Sequence, residues 1–368
     1  MLEKGKISPM QAAMVLYPVI MSTAMVMGPS IMAKRALQDM WLTPVWASIA
    51  GLLAVWLAFQ LHSRYPNMSV IEQSVQIVGT VPGKIIGLFY VYILLQINGF
   101  TVREYAEFIA FFLQETPLTV VSAVFVMVCA FAAYGGIEVI GRAGQFFFPF
   151  MVVPFLVMIL LVMKDMEPQN ILPFMENGLL PTLRAAVLPQ GWFSEVFLLS
   201  FFLPSVSSEQ KAKRVLILML CSCVLTMVIA NLTTLFLMGD SSIAMLFPLM
   251  DIARYISVAS FFENLESGVM AILVIGVFIK VSIFYYATAL AVAQWLQLSD
   301  YRVTVIPIGW MTVLFSFWGI ANFSTVSEWN NLTIPFYLAF SFVIIPAVLL
   351  LLSVVFQRRS SAKRGEAG

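Results

Sequence analysis

One lysine of this chain stands inside a long apolar stretch, where a charged side chain has to be paired or hydrated. Lys280 lies about 11 residues into a predicted helix, and so about 17 Å along it, near the middle. If the stretch crosses a bilayer, an ammonium group there costs at least about 2.5–3.5 kcal/mol unless it faces protein or water. Lys280 could therefore act as a cation at a ligand or coupling-ion site, in place of a sodium ion. The alternative is a purely structural ion pair.

Glu195 is the natural partner for this lysine, because it is the only acid in the apolar part of its own stretch. It lies shallower, about six residues or 9 Å from the outer end, so it could instead face a water-filled vestibule. Ser282, Tyr285 and Tyr286 follow Lys280 at helical spacing and are candidates to line the same site.

Further candidates lie in the first, third and sixth apolar stretches. Gln96 and Asn98 are the polar residues of the third stretch, and each could close a pocket or hydrogen-bond to a neighbouring helix at modest gain. The remaining ligand-binding candidates carry small or hydroxyl side chains in the first and sixth stretches: Ser22, Thr23, Gly28 and Ser200.

The composition places these residues in a membrane. Hydrophobic residues make up 61% of the 368 positions and charged residues 11%, with a mean hydropathy of +0.94. A span needs about 20 apolar residues, and unpaired backbone groups are too costly in lipid for anything but helices or closed barrels. The stretches are too long for barrel strands, so we predict an all-α integral membrane protein. Its ten transmembrane helices are predicted near 10–33, 42–61, 83–101, 118–134, 143–163, 189–207, 215–238, 269–297, 303–321 and 334–356.

The basic residues predict that both termini are cytoplasmic. With ten spans, one side of the membrane would carry thirteen basic residues: Lys4, Lys6, Arg64, Lys84, Arg142, Lys211, Lys213, Arg214, Arg302, Arg358, Arg359, Lys363 and Arg364. The other side would carry six: Lys34, Arg35, Arg103, Lys164, Arg184 and Arg254. The positive-inside rule assigns the richer side to the cytoplasm.

The two halves of the chain resemble each other weakly, and their first helices both carry breaking residues. The first span contains Ser22, Thr23, Gly28 and Pro29. The sixth contains Pro204 and several serines, including Ser200. Five spans per half would make an inverted repeat, as in many secondary transporters. We therefore predict interruptions near Thr23–Gly28 and Ser200–Ser205, whose free backbone groups could bind a ligand carboxylate. Ordinary proline kinks are the alternative.

This division gives a first five-helix repeat over 1–163, an extracytoplasmic connector over 164–188, a second repeat over 189–356 and a basic cytoplasmic tail over 357–368.

No Walker loop, glycine-rich dinucleotide motif or His/Cys/acid cluster is present, which argues against an ATP-driven pump and a membrane enzyme. The three cysteines lie in apolar spans and predict neither a metal site nor a disulfide. We expect no cofactor, no metal and no nucleic-acid partner.

Several short motifs, in this order and spacing, resemble the B subunits of GerA-type spore germinant receptors, which belong to the amino acid–polyamine–organocation (APC) transporter superfamily. They are Lys6-Ile7-Ser8-Pro9-Met10-Gln11, the Ser22 to Pro29 segment, Ser63-Arg64-Tyr65-Pro66, Phe100-Thr101-Val102-Arg103-Glu104, Asn170-Ile171-Leu172-Pro173 through Gly178-Leu179-Leu180-Pro181, and Phe278-Ile279-Lys280-Val281-Ser282. The resemblance covers nearly the whole chain. In helix one, Ser22-Thr23-Ala24-Met25 departs from the glycine-bearing pattern that is common in such proteins.

The resemblance implies an APC-like five-plus-five inverted repeat in the spore inner membrane. It further implies a subunit that senses a small nutrient, such as an amino acid, beside an A subunit and a C-type lipoprotein, and so triggers germination. A proton-coupled amino-acid permease is the alternative function, and it would use the same site.

Overall fold

The computed structural model describes residue 3 and residues 5–112, 115–256, 265–319 and 323–365. These residues are almost all helical; they form no β-strand, only an isolated parallel bridge between Ile7 and Val206. The α-helices in chain order are α1 (Pro9–Ala36), α2 (Thr43–Arg64), α3 (Val70–Val78), α4 (Thr80–Phe112), α5 (Leu118–Gly135), α6 (Ile137–Val162), α7 (Leu179–Ala185), α8 (Val187–Ser194), α9 (Leu199–Phe202), α10 (Glu209–Met238), α11 (Pro248–Tyr255), α12 (Leu265–Leu296), α13 (Arg302–Phe317), α14 (Phe323–Glu328), α15 (Ile334–Ala339) and α16 (Ile345–Gly365).

The helices are long and apolar enough to make this a multi-pass membrane protein. In the described part of the chain, eight helical stretches meet the length and hydropathy of a membrane span, and one of them, Pro9–Arg64, contains both α1 and α2. Helix α13 is apolar but shorter, at 16 residues. Residues 320 and 321 of the predicted ninth span and residues 366–368 of the predicted tail lie outside the described residues.

Helix α1 is a single continuous helix, so the predicted interruption near Thr23–Gly28 is wrong. A capping box between Ser8 and Gln11 starts the helix, and Pro9 occupies its first position, where no N–H is needed. Both internal prolines are tolerated because neighbouring helices surround α1, which is buried over nearly all of its length. Gly28 makes room for the ring of Trp192 in α8 and does not break the helix.

The sixth predicted helix is irregular, although not where the sequence placed the break. It tightens into a 3₁₀ turn at Glu195–Leu198, resumes as α9 and ends in a second 3₁₀ turn at Leu203–Ser205. Of the predicted interruption at Ser200–Ser205, only the last three residues depart from α-helical structure. Ser200 lies within α9, and its hydroxyl donates a hydrogen bond to the carbonyl oxygen of Phe197 at 2.9 Å. This side-chain bond takes the place of part of the backbone hydrogen bonding of the helix.

Helices α1 and α12 form the centre of the molecule. Helix α1 packs against α6, α10 and α12, while α12 also contacts α4, α5 and α13. Gly276 of α12 allows a close approach: a Cβ atom added there would lie 3.0 Å from the Cβ atom of Ser22. The two helices that carry Thr23 and Lys280 are therefore held directly against each other.

Candidate functional site

The buried lysine lies at the contact of three elements. The Lys280 ammonium donates one hydrogen bond to Oε2 of Glu195, at 2.7 Å, and another to Oγ1 of Thr23, at 2.8 Å. Lys280 is 1% exposed, Glu195 is 2% exposed and Thr23 is also buried. We call these three side chains the Thr23–Glu195–Lys280 triad. It confirms that Lys280 faces protein and pairs with Glu195, which therefore does not face an outer vestibule.

The local backbone explains how the triad forms. Glu195 stands at the first position of the 3₁₀ turn that follows α8, and Thr23 projects from the unbroken α1. Phe284 lies one helical turn after Lys280, with its ring centroid 5.8 Å from the ammonium nitrogen, close enough for a weak cation–π attraction. An ion pair this deeply buried has lost its hydration, so it is stable only while all partners stay in place.

The triad gives the protein an element that responds to charge. A carboxylate or an ammonium group brought beside it would compete for the Glu195–Lys280 pair, in surroundings where electrostatic interactions are stronger than in water. Because the three partners belong to α1, α12 and the segment between α8 and α9, breaking the pair would remove a polar contact that joins these three elements. The arrangement is therefore suited to coupling a bound ion or zwitterion to helix movement.

Several predicted site residues are buried with polar atoms that have no hydrogen-bond partner within the described structure. They are the hydroxyls of Ser22 and Ser282, Oε1 of Gln96, and both amide atoms of Asn98. Unpaired polar atoms in a protein interior cost free energy, so such groups are usually matched by water or a ligand. These four residues remain candidates for ligand contacts.

Two other predicted residues are engaged elsewhere. The Tyr285 hydroxyl donates to the carbonyl of Val305, and the Tyr286 hydroxyl donates to Oε2 of Glu3 at 3.2 Å. Helix α12 turns these rings toward α13 and the N-terminal segment, so their hydrogen bonds do not reach the triad. Helical spacing alone overstated their closeness to Lys280.

A second buried charge pair was missed by the sequence analysis. Arg103 is 4% exposed and binds Oε1 of Glu107 through its Nε at 2.9 Å and a terminal nitrogen at 2.7 Å, with the ring of Phe317 5.0 Å away. Arg103 was predicted to lie outside the third span, but α4 continues to Phe112 and Arg103 is buried within it. The i,i+4 spacing of Arg103 and Glu107 in a continuous helix was the available signal.

No group of three or more His, Cys, Asp or Glu side chains is placed to hold a metal ion in the part of the chain that the structure describes.

Residues Glu3, Gly5, Lys6, Ile7 and Ser8 precede α1, and we call them the N-terminal strap. The strap pairs with the end of the sixth helix: the Ile7 N–H donates to the Ser205 carbonyl and the Ser207 N–H to the Ile7 carbonyl, both at 3.0 Å. The Lys6 ammonium donates to the Pro204 carbonyl at 2.7 Å.

Two solved structures have a similar fold, and one of them is described as a transporter. Mhp1, described as a nucleobase-cation-symport-1 family transporter in a closed conformation with bromovinylhydantoin bound, matches with a TM-score of 0.70 and 15% identity, over 94% of this chain and 78% of that one. MhsT in complex with L-phenylalanine matches with a TM-score of 0.67 and 11% identity, over 96% of this chain and 99% of that one. These likenesses show that this chain shares the fold of the two proteins.

The sequence comparisons are more specific. The family described as spore germination protein matches residues 6–324, and the chain belongs to this family, as the sequence resemblance predicted. Spore germination protein KB of Bacillus subtilis is 25% identical over 99% of both chains. Spore germination protein YndE of the same organism is 24% identical over 79% of this chain and 81% of that one. Spore germination protein XB of Bacillus anthracis is 22% identical over 60% and 57%, respectively.

Proposed function

We propose that this chain is the nutrient-sensing membrane subunit of a spore germinant receptor. The observation that carries the proposal is the Thr23–Glu195–Lys280 triad, which joins three elements through one fully buried ion pair. A scaffold without a ligand would not need a charge pair here, since apolar side chains of similar volume often stabilise a protein as well or better. Membership of the spore germination protein family supports the biological setting.

The nutrient binds near the triad, between α1, α4, α12 and the segment from α8 to α9. An amino acid is the expected class of nutrient, because its ammonium and carboxylate groups can pair with Glu195 and Lys280. The unpaired polar atoms of Gln96, Asn98 and Ser282 would supply hydrogen bonds to it. A nutrient that binds one conformation more tightly than another shifts the conformational equilibrium toward it.

Our proposal also includes the detailed architecture that the sequence predicts. Ten spans form two inverted repeats of five, both termini face the cytoplasm, and the protein lies in the inner membrane of the spore. The conformational change passes to an A subunit and a C-type lipoprotein, which together with this chain make up the receptor. The transporter-like fold supports a repeat of this kind.

A proton-coupled amino-acid permease is the second candidate, and the similar fold of two small-molecule transporters is the observation that favours it. Flux of radiolabelled amino acids into proteoliposomes separates the two functions. The sensor proposal predicts no saturable uptake by this chain alone, with or without a proton gradient. Saturable uptake that is lost in Lys280→Met but kept in Lys211→Met, a matched change at an exposed lysine of α10, would support the permease and contradict the sensor.

Binding is measured on the same purified protein. Amino acids that trigger germination should raise its unfolding temperature in a concentration-dependent way, because a ligand that binds only the folded state stabilises it. Lys280→Met should lose this shift, whereas Lys211→Met should keep it. A panel of amino acids that produces no shift in the wild-type chain would contradict direct sensing by this subunit.

A further inference from the structure

The tenth predicted span contains two π turns, one over Trp329–Thr333 and one over Phe340–Ile344, where α15 joins α16. Each of them ends two residues before a proline, Pro335 or Pro346. A proline inside a helix has no N–H to donate and its ring clashes with the carbonyl four residues earlier, which a local π turn can relieve in a membrane helix. π turns inside α-helices are also frequent at functional sites. The second π turn contacts the 3₁₀ turn that begins at Glu195.

The second π turn leaves one backbone carbonyl free to bind a side chain. The Ile345 N–H donates to the carbonyl of Phe340, five residues earlier, whereas in an α-helix it would donate to that of Ser341. The Ser341 carbonyl instead accepts a hydrogen bond from the hydroxyl of Tyr90 in α4, at 3.1 Å. Tyr90 is fully buried, and a buried tyrosine hydroxyl needs a hydrogen-bond partner. The π turn and the Tyr90 hydroxyl therefore stabilise each other.

Buried aromatic rings of the π turn and of α4 pack against the segment that follows Glu195. The ring centroid of Phe342 lies 6.2 Å from that of Phe197, which is two residues after Glu195 in the 3₁₀ turn. The ring of Tyr90 meets that of Phe201 in α9 edge to face, with centroids 5.6 Å apart. All four rings are at most 1% exposed. The turn that carries Glu195 is therefore held from two places on neighbouring helices.

The position of this turn matters because the ion pair of the triad is short and buried. The Glu195 carboxylate lies 2.7 Å from the Lys280 ammonium, and a buried charge that loses its partner is strongly destabilising. If the π turn changed to an α-helical register, one side of it would move relative to the other by one residue, about 100° and 1.5 Å. Such a change would shift the Phe342 ring against Phe197 and take the Ser341 carbonyl from Tyr90.

We infer that Tyr90 and Phe342 are positioning residues, which hold Glu195 in reach of Lys280 through the π turn of the tenth span. The register of this span then controls the strength of the ion pair. Coupling between two sites is reciprocal, so a change at the ion pair also alters the π turn. The inference rests on the proposed function only where the pair transmits a nutrient signal, since the positioning is a property of the folded chain alone.

A double-mutant cycle between Glu195→Gln and Lys280→Met, measured by unfolding of the purified full-length chain in detergent, gives the coupling between these two side chains. We expect the coupling to fall by about half or more when the cycle is repeated in Tyr90→Phe, which removes only the hydroxyl that binds the π turn. Tyr92→Phe is the matched control, because Tyr92 is 47% exposed on the same helix, and it should leave the coupling unchanged. A residue with a merely structural role would lower the stability of every member of the cycle equally and leave the coupling as it was.

Phe342→Leu tests the ring contact independently and should lower the coupling too, whereas Phe336→Leu, at a position of the same span that is 63% exposed, should not. Amide hydrogen exchange at residues 196–198 should be faster in Tyr90→Phe than in Tyr92→Phe, because the turn has lost part of its support. Wild-type coupling in both Tyr90→Phe and Phe342→Leu would overturn the inference and leave the proposed function untouched. Loss of coupling in a chain that shows no nutrient-dependent stabilisation would support the positioning role even though nutrient sensing had failed its own test.

Discussion

Lys280 and Glu195 stabilise each other, and either charge without its partner would destabilise the protein because both side chains are buried. Both side chains are almost fully buried and 2.7 Å apart. Removing one charge leaves the other unpaired in an apolar interior, which costs about 3–5 kcal/mol, although apolar replacement of the whole pair is often neutral. This asymmetry separates the part that the pair plays in folding from the part that it plays in function.

We expect Glu195→Gln and Lys280→Met each to lower the free energy of unfolding by about 3–5 kcal/mol, and the double variant to recover most of that loss. The measurement is unfolding of the purified protein in detergent, with both single variants and the double variant compared as a cycle. If the two losses simply added in the double variant, the side chains would not be acting as a pair.

The sequence predicted the buried lysine and offered Glu195 as its partner, but it left open whether Glu195 faces an outer vestibule instead; the structure shows the pair. The third partner, Thr23, was a candidate only for a different reason, the predicted break. Which rings turn toward Lys280 depends on how α12 rotates against α13, and no local pattern encodes that rotation. Tyr285 and Tyr286 were therefore placed in the wrong surroundings.

At the scale of helices, close contact depends on a few glycines. Gly99 of α4 faces α13 so closely that an added Cβ atom would lie 2.7 Å from Cβ of Phe315 and 2.9 Å from the backbone nitrogen of Ser316. Backbone cannot move aside as a flexible side chain can. The two helices would have to separate.

Gly99→Ala should therefore lower the free energy of unfolding by about 1–3 kcal/mol through overpacking. Gly268→Ala in α12 is the matched control, since no atom lies within 4 Å of its added Cβ atom. The control should leave stability unchanged or raise it by up to about 1 kcal/mol through helix propensity. Thermal and denaturant unfolding of both variants checks this; equal effects would show that the α4–α13 approach is not tight.

The N-terminal strap is the second feature at the scale of helices. Ile7→Pro removes the N–H that bonds to the Ser205 carbonyl, so we expect faster hydrogen exchange at Val206 and Ser207. Met10→Pro is the control, because a proline in the first turn of α1 removes no helical hydrogen bond. Unchanged exchange in Ile7→Pro would show that the strap does not hold the end of the sixth helix.

Hydropathy placed the apolar helices, but it predicted neither their continuity nor every end: the third span was predicted over 83–101, and α4 continues to Phe112. Weak helix formers in α1 serve other purposes: Gly28 accommodates Trp192, and the Thr23 hydroxyl bonds to Lys280. Tertiary contacts on all sides hold the helix together despite local propensity. In the sixth helix one irregular turn falls at Glu195, whose carboxylate reaches the lysine, and only the second, at Leu203–Ser205, lies within the predicted interruption.

At the scale of the whole molecule, topology is the first prediction. Single cysteines introduced into a cysteine-free chain at Ser63, in the last turn of α2, and at Lys164, after α6, should be labelled by an impermeant maleimide from opposite sides of the membrane. Ser63 should react only from the cytoplasmic side, according to the distribution of basic residues. Labelling of both positions from one side would contradict an odd number of spans between α2 and Lys164.

The central claim is that the charge of Lys280 transmits the nutrient signal. Its most direct test is germination of spores that carry Lys280→Met, measured as nutrient dose–response at a protein level equal to that of the wild type. Methionine keeps much of the apolar stem and removes the ammonium group with its hydrogen bonds to Thr23 and Glu195, and Lys211→Met controls for the loss of an exposed lysine. We predict that Lys280→Met spores lose the nutrient response while Lys211→Met spores keep it. Normal nutrient sensitivity in Lys280→Met spores would show that the ion pair is structural and would contradict the proposed function of the triad.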